Sequence, residues 1–419
     1  MSSLSEEKLI YDWNRKGEPL PPRASPIEFD DETLRDGLQS PSIKDPKLDE
    51  KIRILHLMEG LGIQACDIGL PGSGARAYET CLSLAREVGE NRMKIRPNCA
   101  VRTVRADVDP LIDISMKVGF PLEAAMFIGS SPIRFYAEGW TLEKVHRMTE
   151  DAVGYAVQNG IPVMYVTEDT TRTNPESIRD LFRTAIFAGA RRVCVADTVG
   201  HAIPPGVSAL LRFVRGVVEE TGEEVKIDWH GHSDRGLAVT NAMRAFDEGV
   251  DRIHGTALGI GERCGNMQMD QLLVNLKLDG QIENDLSLLD EYCKQVSRAT
   301  GYRIPVNYPV FGRDAFRTST GVHAAAIIKA MEHGARWFVD AVYSGVPAHM
   351  VGRDQEIEIG FMSGASNVSY YLRSRGQEPT PELVERILKA AKQKHTVLSE
   401  DEVAALIAEH GSGGGSLRR

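Results

Sequence analysis

Eight short strand-like runs recur along the first two-thirds of this chain, and their rhythm limits the fold more than any other feature. They fall at residues 27–29, 63–68, 94–101, 124–128, 163–167, 192–196, 225–229 and 252–257. Their starts lie about thirty residues apart, the length of one strand-plus-helix unit. Each of the first seven is followed by a helical pattern. Within 141–159, Leu142, Val145, Met148, Val153 and Ala156 recur at helical spacing, and 175–188 opens on Pro175, a residue suited to a first helical turn. The eighth run leads through a Gly-rich loop to 267–278, also helical. Eight such units predict a (β/α)8 barrel. Most runs read as largely apolar, as expected of strands buried on both faces. A doubly wound open sheet is the competing fold. It ranks lower because no G-x-G-x-x-G follows the first strand.

The rhythm stops after Leu278, and the chain divides accordingly. We expect an arm over residues 1–23, the barrel over 24–283, a linker with smaller, mainly helical subdomains over 284–410, and a flexible tail over 411–419. A length of 419 residues, 42% hydrophobic and 26% charged, suits a globular protein with a large core. The net charge of −10 argues against nucleic-acid binding, which needs a basic face, but leaves room for a local anion pocket. Residues 1–23 are polar, and no run reaches the apolar length of a membrane span. The six cysteines show no C-x-x-C spacing, and most of them suit small buried hydrophobes. These features fit a reduced, cytoplasmic, enzyme-sized protein.

Barrels of this kind place chemistry at the C-terminal ends of their strands. Those positions carry Arg35, Asp36 and Gln39 after the first strand, Asp67 after the second and Arg102 after the third. Ser131 and Arg134 follow the fourth strand, Glu168, Asp169 and Arg172 the fifth, and Asp197 and Thr198 the sixth. His230 and His232 end the seventh strand, and the loop Gly259–Asn266 follows the eighth. A barrel needing only stability would not require a polar group at every strand end. His230 and His232 are two apart, so both project to one side of their strand. With Asp36, and the Asn266 oxygen as a fourth ligand, they form a set with positions left for a bidentate substrate. It suits Zn²⁺, Mn²⁺ or Co²⁺, and Mg²⁺ where waters fill the shell. The same ligand count occurs in non-haem Fe(II) oxygenases, although Arg35 and Thr198 fit carboxylate and carbonyl binding better.

Five strings occur in order: Asp31-Glu32-Thr33-Leu34-Arg35-Asp36-Gly37, Glu168-Asp169-x-x-Arg172, Asp197-Thr198-Val199-Gly200, His230-Gly231-His232-Ser233-Asp234-Arg235-Gly236 and Gly259-x-Gly261-Glu262-Arg263-x-Gly265-Asn266. Together they resemble the isopropylmalate and homocitrate synthase family, the Claisen-condensing branch of metal-dependent barrel lyases. Ser319-x-Gly321-Val322-His323 and Tyr343-x-x-x-Pro347-x-x-x-Val351-Gly352 extend the likeness beyond the barrel. The resemblance implies a divalent metal on Asp36, His230 and His232, with Asn266 a weaker ligand. It implies a 2-oxo acid held by Thr198, and Arg35 beside the keto oxygen. His323 would be the base acting on acetyl-CoA or a related acyl-CoA, supported by Glu168 and Tyr343. The C-terminal region would contribute to the active site of a neighbouring subunit, so a homodimer is implied. The product would be a 2-alkylmalate, most like that of a 2-isopropylmalate synthase of leucine biosynthesis. Homocitrate, citramalate or Re-type citrate synthesis are alternatives, and a hydroxymethylglutaryl-CoA lyase-type retro-aldol reaction is one of another class.

The chain also departs from that family. Gly360-Phe361-Met362-Ser363-Gly364 stands for Gly-Lys-His-Ser-Gly, Asp67 for a glutamate and Arg134 for a histidine. Tyr343 lies farther beyond His323 than is usual, and feedback through the family's allosteric domain is not expected. Homocitrate synthases carry Arg and Ser where Met164 and Val166 stand. With Gln39, Arg102, Arg134 and Thr198, these two complete the candidate substrate-binding residues, and they favour an apolar 2-oxo acid such as 2-oxoisovalerate.

Overall fold

The computed structural model describes residues 6–16 and 25–413, so part of the expected arm and of the expected tail lies outside the described residues. The chain forms two compact units: of the described residues, 25–303 make up one, and 304–413 together with the N-terminal 6–16 make up the other. In the first, eight parallel strands close a barrel: β1 (Glu28–Asp31), β2 (Ala65–Asp67), β3 (Arg96–Arg102), β4 (Glu123–Gly129), β5 (Val163–Glu168), β6 (Arg192–Asp197), β7 (Lys226–Gly231) and β8 (Arg252–Gly255). Closure comes from β8 pairing with β1, with Phe29 opposite Ile253 and Asp30 opposite His254. Helices Leu142–Gln158 and Pro175–Phe187 start where the sequence offers caps. Thr141 Oγ accepts from Lys144 N at 3.2 Å, and Asn174 Oδ1 accepts from Ser177 N at 2.9 Å just before Pro175.

Alternation along each strand sorts the side chains into two layers. Odd-numbered β5 residues meet the helices: Tyr165 donates or accepts at 2.7 Å with Thr149 and packs edge-on against Phe182. The even-numbered residues face the barrel interior, and there the expectation of apolar strands fails. Arg252 of β8 reaches Glu123 of β4 at 2.7 Å, and Arg192 of β6 reaches Glu28 of β1 at 2.9 Å. Only a path through the interior joins strands so far apart. Asp228 anchors both cations, accepting from Arg192 Nη1 at 2.5 Å and from Arg252 Nε at 2.7 Å. The floor is therefore an ion-pair network, flanked by the apolar cluster Ala125, Met164 and Cys194.

Residues 284–303, expected with the C-terminal region, belong to the barrel unit. Helix Leu289–Thr300 brings Tyr292 into the core, where its hydroxyl meets Asp31 and lies 3.2 Å from Thr33 Oγ1. The second unit is mainly helical, with Gly321–Glu332, Arg336–Ala341, Ala365–Ser374, Pro381–Lys392 and Glu400–Gly413, the last running past the expected end at 410. Val368, Leu372, Leu383 and Ile387 centre its main core, and short strands Arg317–Thr318 and Glu356–Ile357 pair in parallel.

Candidate active site

The turn after β1 is set by its own polar groups. Asp31 Oδ1 accepts from Thr33 N at 2.9 Å, while the Glu32 carbonyl accepts from Arg35 N at 3.1 Å and Gly37 N at 3.0 Å. This fold-back turns Arg35 and Asp36 toward the mouth. Asp36 Oδ2 lies 3.6 Å from His230 Nε2 and 3.8 Å from His232 Nε2, all three residues being nearly buried. Their ligand atoms lie within 4.8 Å of one another, so the expected metal set is assembled in space. Asn266 is brought to the same place by a bridge to His232. Its Nδ2 donates to Ile260 O at 3.1 Å, and its Oδ1 is buried with no hydrogen-bond partner. Any side chain at Gly261, whose φ is +152°, would lie 2.2 Å from Asn266 Nδ2, so the Gly-rich loop is needed for that approach.

This donor set fits a divalent ion. Two imidazoles and a carboxylate converge, and an unsatisfied amide oxygen lies beside them. Burial, together with neighbouring His230, pushes His232 down to about 4 against the opposing pull of Asp36, which leaves a neutral ring with a lone pair.

Arg35 is the hub of the carboxylates. It donates from Nε to Asp67 at 2.6 Å, and its Nη atoms lie 3.2 Å from Glu32 and 3.4 Å from Asp36. Burial lifts Asp67 to about 7 despite Arg35. Arg35 and Gln39 share a cleft of about 550 Å³ beside β1 and β2. Thr198 is held by its own hydroxyl, which accepts from Asp169 N at 2.8 Å. Glu168 ends β5, raised by burial and opposed by Arg134 and Arg35. Arg134 lies across Gly129, where a Cβ would be 2.3 Å from its Cγ.

The remaining candidates have partners of their own. The Arg102 fork is bidentate to Asp107 at 2.7 Å on both bonds. Met164 is 1% exposed and lies in the floor, where Arg252 donates to its sulfur at 3.0 Å, so only half-buried Val166 above it can line a pocket. His323 and Tyr343 belong to the C-terminal unit, both exposed, with ring centroids 4.2 Å apart. Glu32 and His254 were missed as site residues. Their signal was the period of two: Glu28, Asp30 and Glu32 alternate along one face, as do Arg252 and His254.

Residues 26–293 match the HMGL-like family model. A homocitrate synthase of Methanopyrus kandleri is 32% identical over 86% of this chain and 86% of its own. A 2-isopropylmalate synthase of Sulfolobus acidocaldarius is 29% identical over 91% of this chain and 95% of its own. Among solved structures, the HMG-CoA lyase of Bacillus subtilis superposes with a TM-score of 0.57 at 18% identity, covering 68% of this chain and 97% of that one, which supports the barrel fold alone. With a family model spanning the barrel and synthase relatives aligned over most of its length, the chain belongs to the HMGL-like family and is an enzyme of its condensing, acyltransferase-type branch.

Proposed function

We propose that the protein condenses an acyl-CoA, acetyl-CoA first among them, with an apolar 2-oxo acid to give a 2-alkylmalate and free coenzyme A. The observation that carries this reading is the Asp36/His230/His232 set with Arg35 at one barrel mouth. A divalent ion held by those three residues, with Asn266 beside them, would supply Lewis-acid polarisation of the keto group. The chain's own groups would do the rest. Thr198 orients the substrate carboxylate. Arg35, fixed by Asp67, offers a donor where the keto oxygen gains charge as the new carbon–carbon bond forms. His323 takes a proton from the carbon next to the thioester, and water then cleaves that thioester. The test is thiol release from acetyl-CoA, stimulated by a 2-oxo acid and abolished by a chelator.

His323 is assigned as base from the family resemblance, with its exposed ring against Tyr343 in support. His323→Ala should keep metal content and 2-oxo acid binding while turnover falls by roughly 10²–10⁴. An unchanged rate would move the role to Glu168.

The choice of 2-oxo acid follows from the wall around Val166. Ala125, Met164 and Cys194 back it, and the two cations expected to reach a distal charge are paired, Arg102 with Asp107 and Arg134 with Glu138 at 3.2 Å. A second substrate carboxylate would lose water there without gaining a free partner. 2-Oxoisovalerate should therefore exceed 2-oxoglutarate in kcat/KM by about tenfold or more. A preference for 2-oxoglutarate or oxaloacetate would refute the pocket assignment.

A further inference from the structure

Two buried residues have no part in the chemistry above, and they form a line to one of the candidate metal ligands. Glu32 is 3% exposed and His254 is 1% exposed. Glu32 stands between two imidazoles: Oε1 is hydrogen-bonded to His254 Nδ1 at 3.0 Å, and Oε2 comes within 2.9 Å of His230 Nδ1 as an ion-pair contact, off the hydrogen-bond direction and with no other partner. The other nitrogen of His254 lies 3.0 Å from Asp228 Oδ2. Asp228 is pinned in turn by Arg192 and Arg252. A chain of contacts thus runs from the charged floor of the barrel through Asp228, His254 and Glu32 to His230.

That chain sets a carboxylate beside one nitrogen of His230, and its charge favours the ring proton at Nδ1, where a small rotation would complete the hydrogen bond. A ring whose Nδ1–H is given to a carboxylate has a fixed plane and tautomer, and its Nε2 lone pair is left for a ligand. Here Nε2 is the atom that faces Asp36. We propose that Glu32, held in place by His254, is a positioning residue that presents His230 Nε2 to a divalent cation at the Asp36/His230/His232 set. The inference rests on the metal-dependent reading above. Both ring nitrogens of His254 meet carboxylates, so its orientation is pinned at both ends. Glu32 also lies 3.2 Å from Arg35 Nη2, so one carboxylate aligns both a metal ligand and the oxyanion donor. Glu32, His230 and His254 are close enough to hold an ion themselves. An ion there would have to take the Nδ1 atoms of both rings, the nitrogens that face Glu32, and it would show as a second ion per chain.

The test uses the full chain stripped of metal and titrated with Co²⁺ against a competing chelator, together with ¹⁵N spectra of the histidine rings in the metal-free protein. The wild type should bind one Co²⁺ and show His230 protonated at Nδ1 alone. Glu32→Gln should weaken Co²⁺ binding by about 10–100-fold and give His230 a mixed tautomer. His254→Gln should move both readouts in the same direction, and the double variant should be less than additive. Wild-type affinity with an unchanged tautomer in Glu32→Gln would overturn the inference, as would two Co²⁺ per chain. A wild-type His230 protonated at Nε2 would overturn it even if both variants failed to fold. If the wild type binds no Co²⁺, the proposed function and the inference fail together, whereas Co²⁺ bound equally by wild type and Glu32→Gln with an unchanged tautomer overturns the inference alone.

Discussion

Asp36→Ala should fold and yet release coenzyme A at a rate lower by roughly 10³-fold or more. The carboxylate is the only acidic member of the Asp36/His230/His232 set, and its Oδ2 is the point on which both imidazoles converge. Losing one of three candidate ligands would remove most of the affinity for a divalent ion. The polarisation that such an ion supplies is worth several kcal/mol, or about three powers of ten in rate. Folding should survive because Asp36 sits at the mouth, whereas the barrel is held together at its floor and its helix-facing layer. Measuring metal content, thermal unfolding and thiol release on the same preparation separates these effects. A variant with wild-type turnover would remove Asp36 from the mechanism.

Asp228→Ala should act at the other end of the barrel and on stability. Its carboxylate accepts from Arg192 and Arg252 and faces His254, all within the interior. Removing it leaves two guanidinium groups and an imidazole buried without their shared partner, which costs about 3–5 kcal/mol. Burial alone would raise the Asp228 carboxyl, but Arg252 and Arg192 outweigh it and hold the group well below the usual carboxylate range. Its contribution is thus full above the unfolded value of about 3.9 and is lost as pH falls through the lower folded value. Urea unfolding followed at the fully buried Trp229 should show the deficit at neutral pH and a narrowing gap in acid. Equal midpoints at neutral pH would mean that the floor network adds no net stability.

The barrel was legible because its strands and helices announce themselves by period, and the observed strands fall within a few residues of the expected ones. Asp36, His230 and His232 could be found because strand ends converge in any such barrel, even from positions almost two hundred residues apart. The interior was not legible in the same way. Arg252 and Glu123 read as isolated charges in sequence, and only closure of the barrel brings them to 2.7 Å. Arg102 shows the opposite failure: it sits at the correct strand end, but Asp107 five residues on captures its fork. Met164 was placed on the correct face yet one layer too deep to meet a substrate, since alternation gives the side of a strand and not the depth. Tyr292 was missed because a helix beyond the eighth repeat returns to fill the space beside Asp31 and Thr33.

The most direct measurement of the central claim is product identification by mass. The metal-loaded protein is incubated with acetyl-CoA and a panel of 2-oxo acids, with a chelated sample alongside. The account predicts equimolar free coenzyme A and a 2-alkylmalate whose mass is that of the 2-oxo acid plus acetic acid, with 2-oxoisovalerate giving the highest kcat/KM. No condensation product from any 2-oxo acid, or cleavage of a hydroxyacyl-CoA in its place, would contradict it.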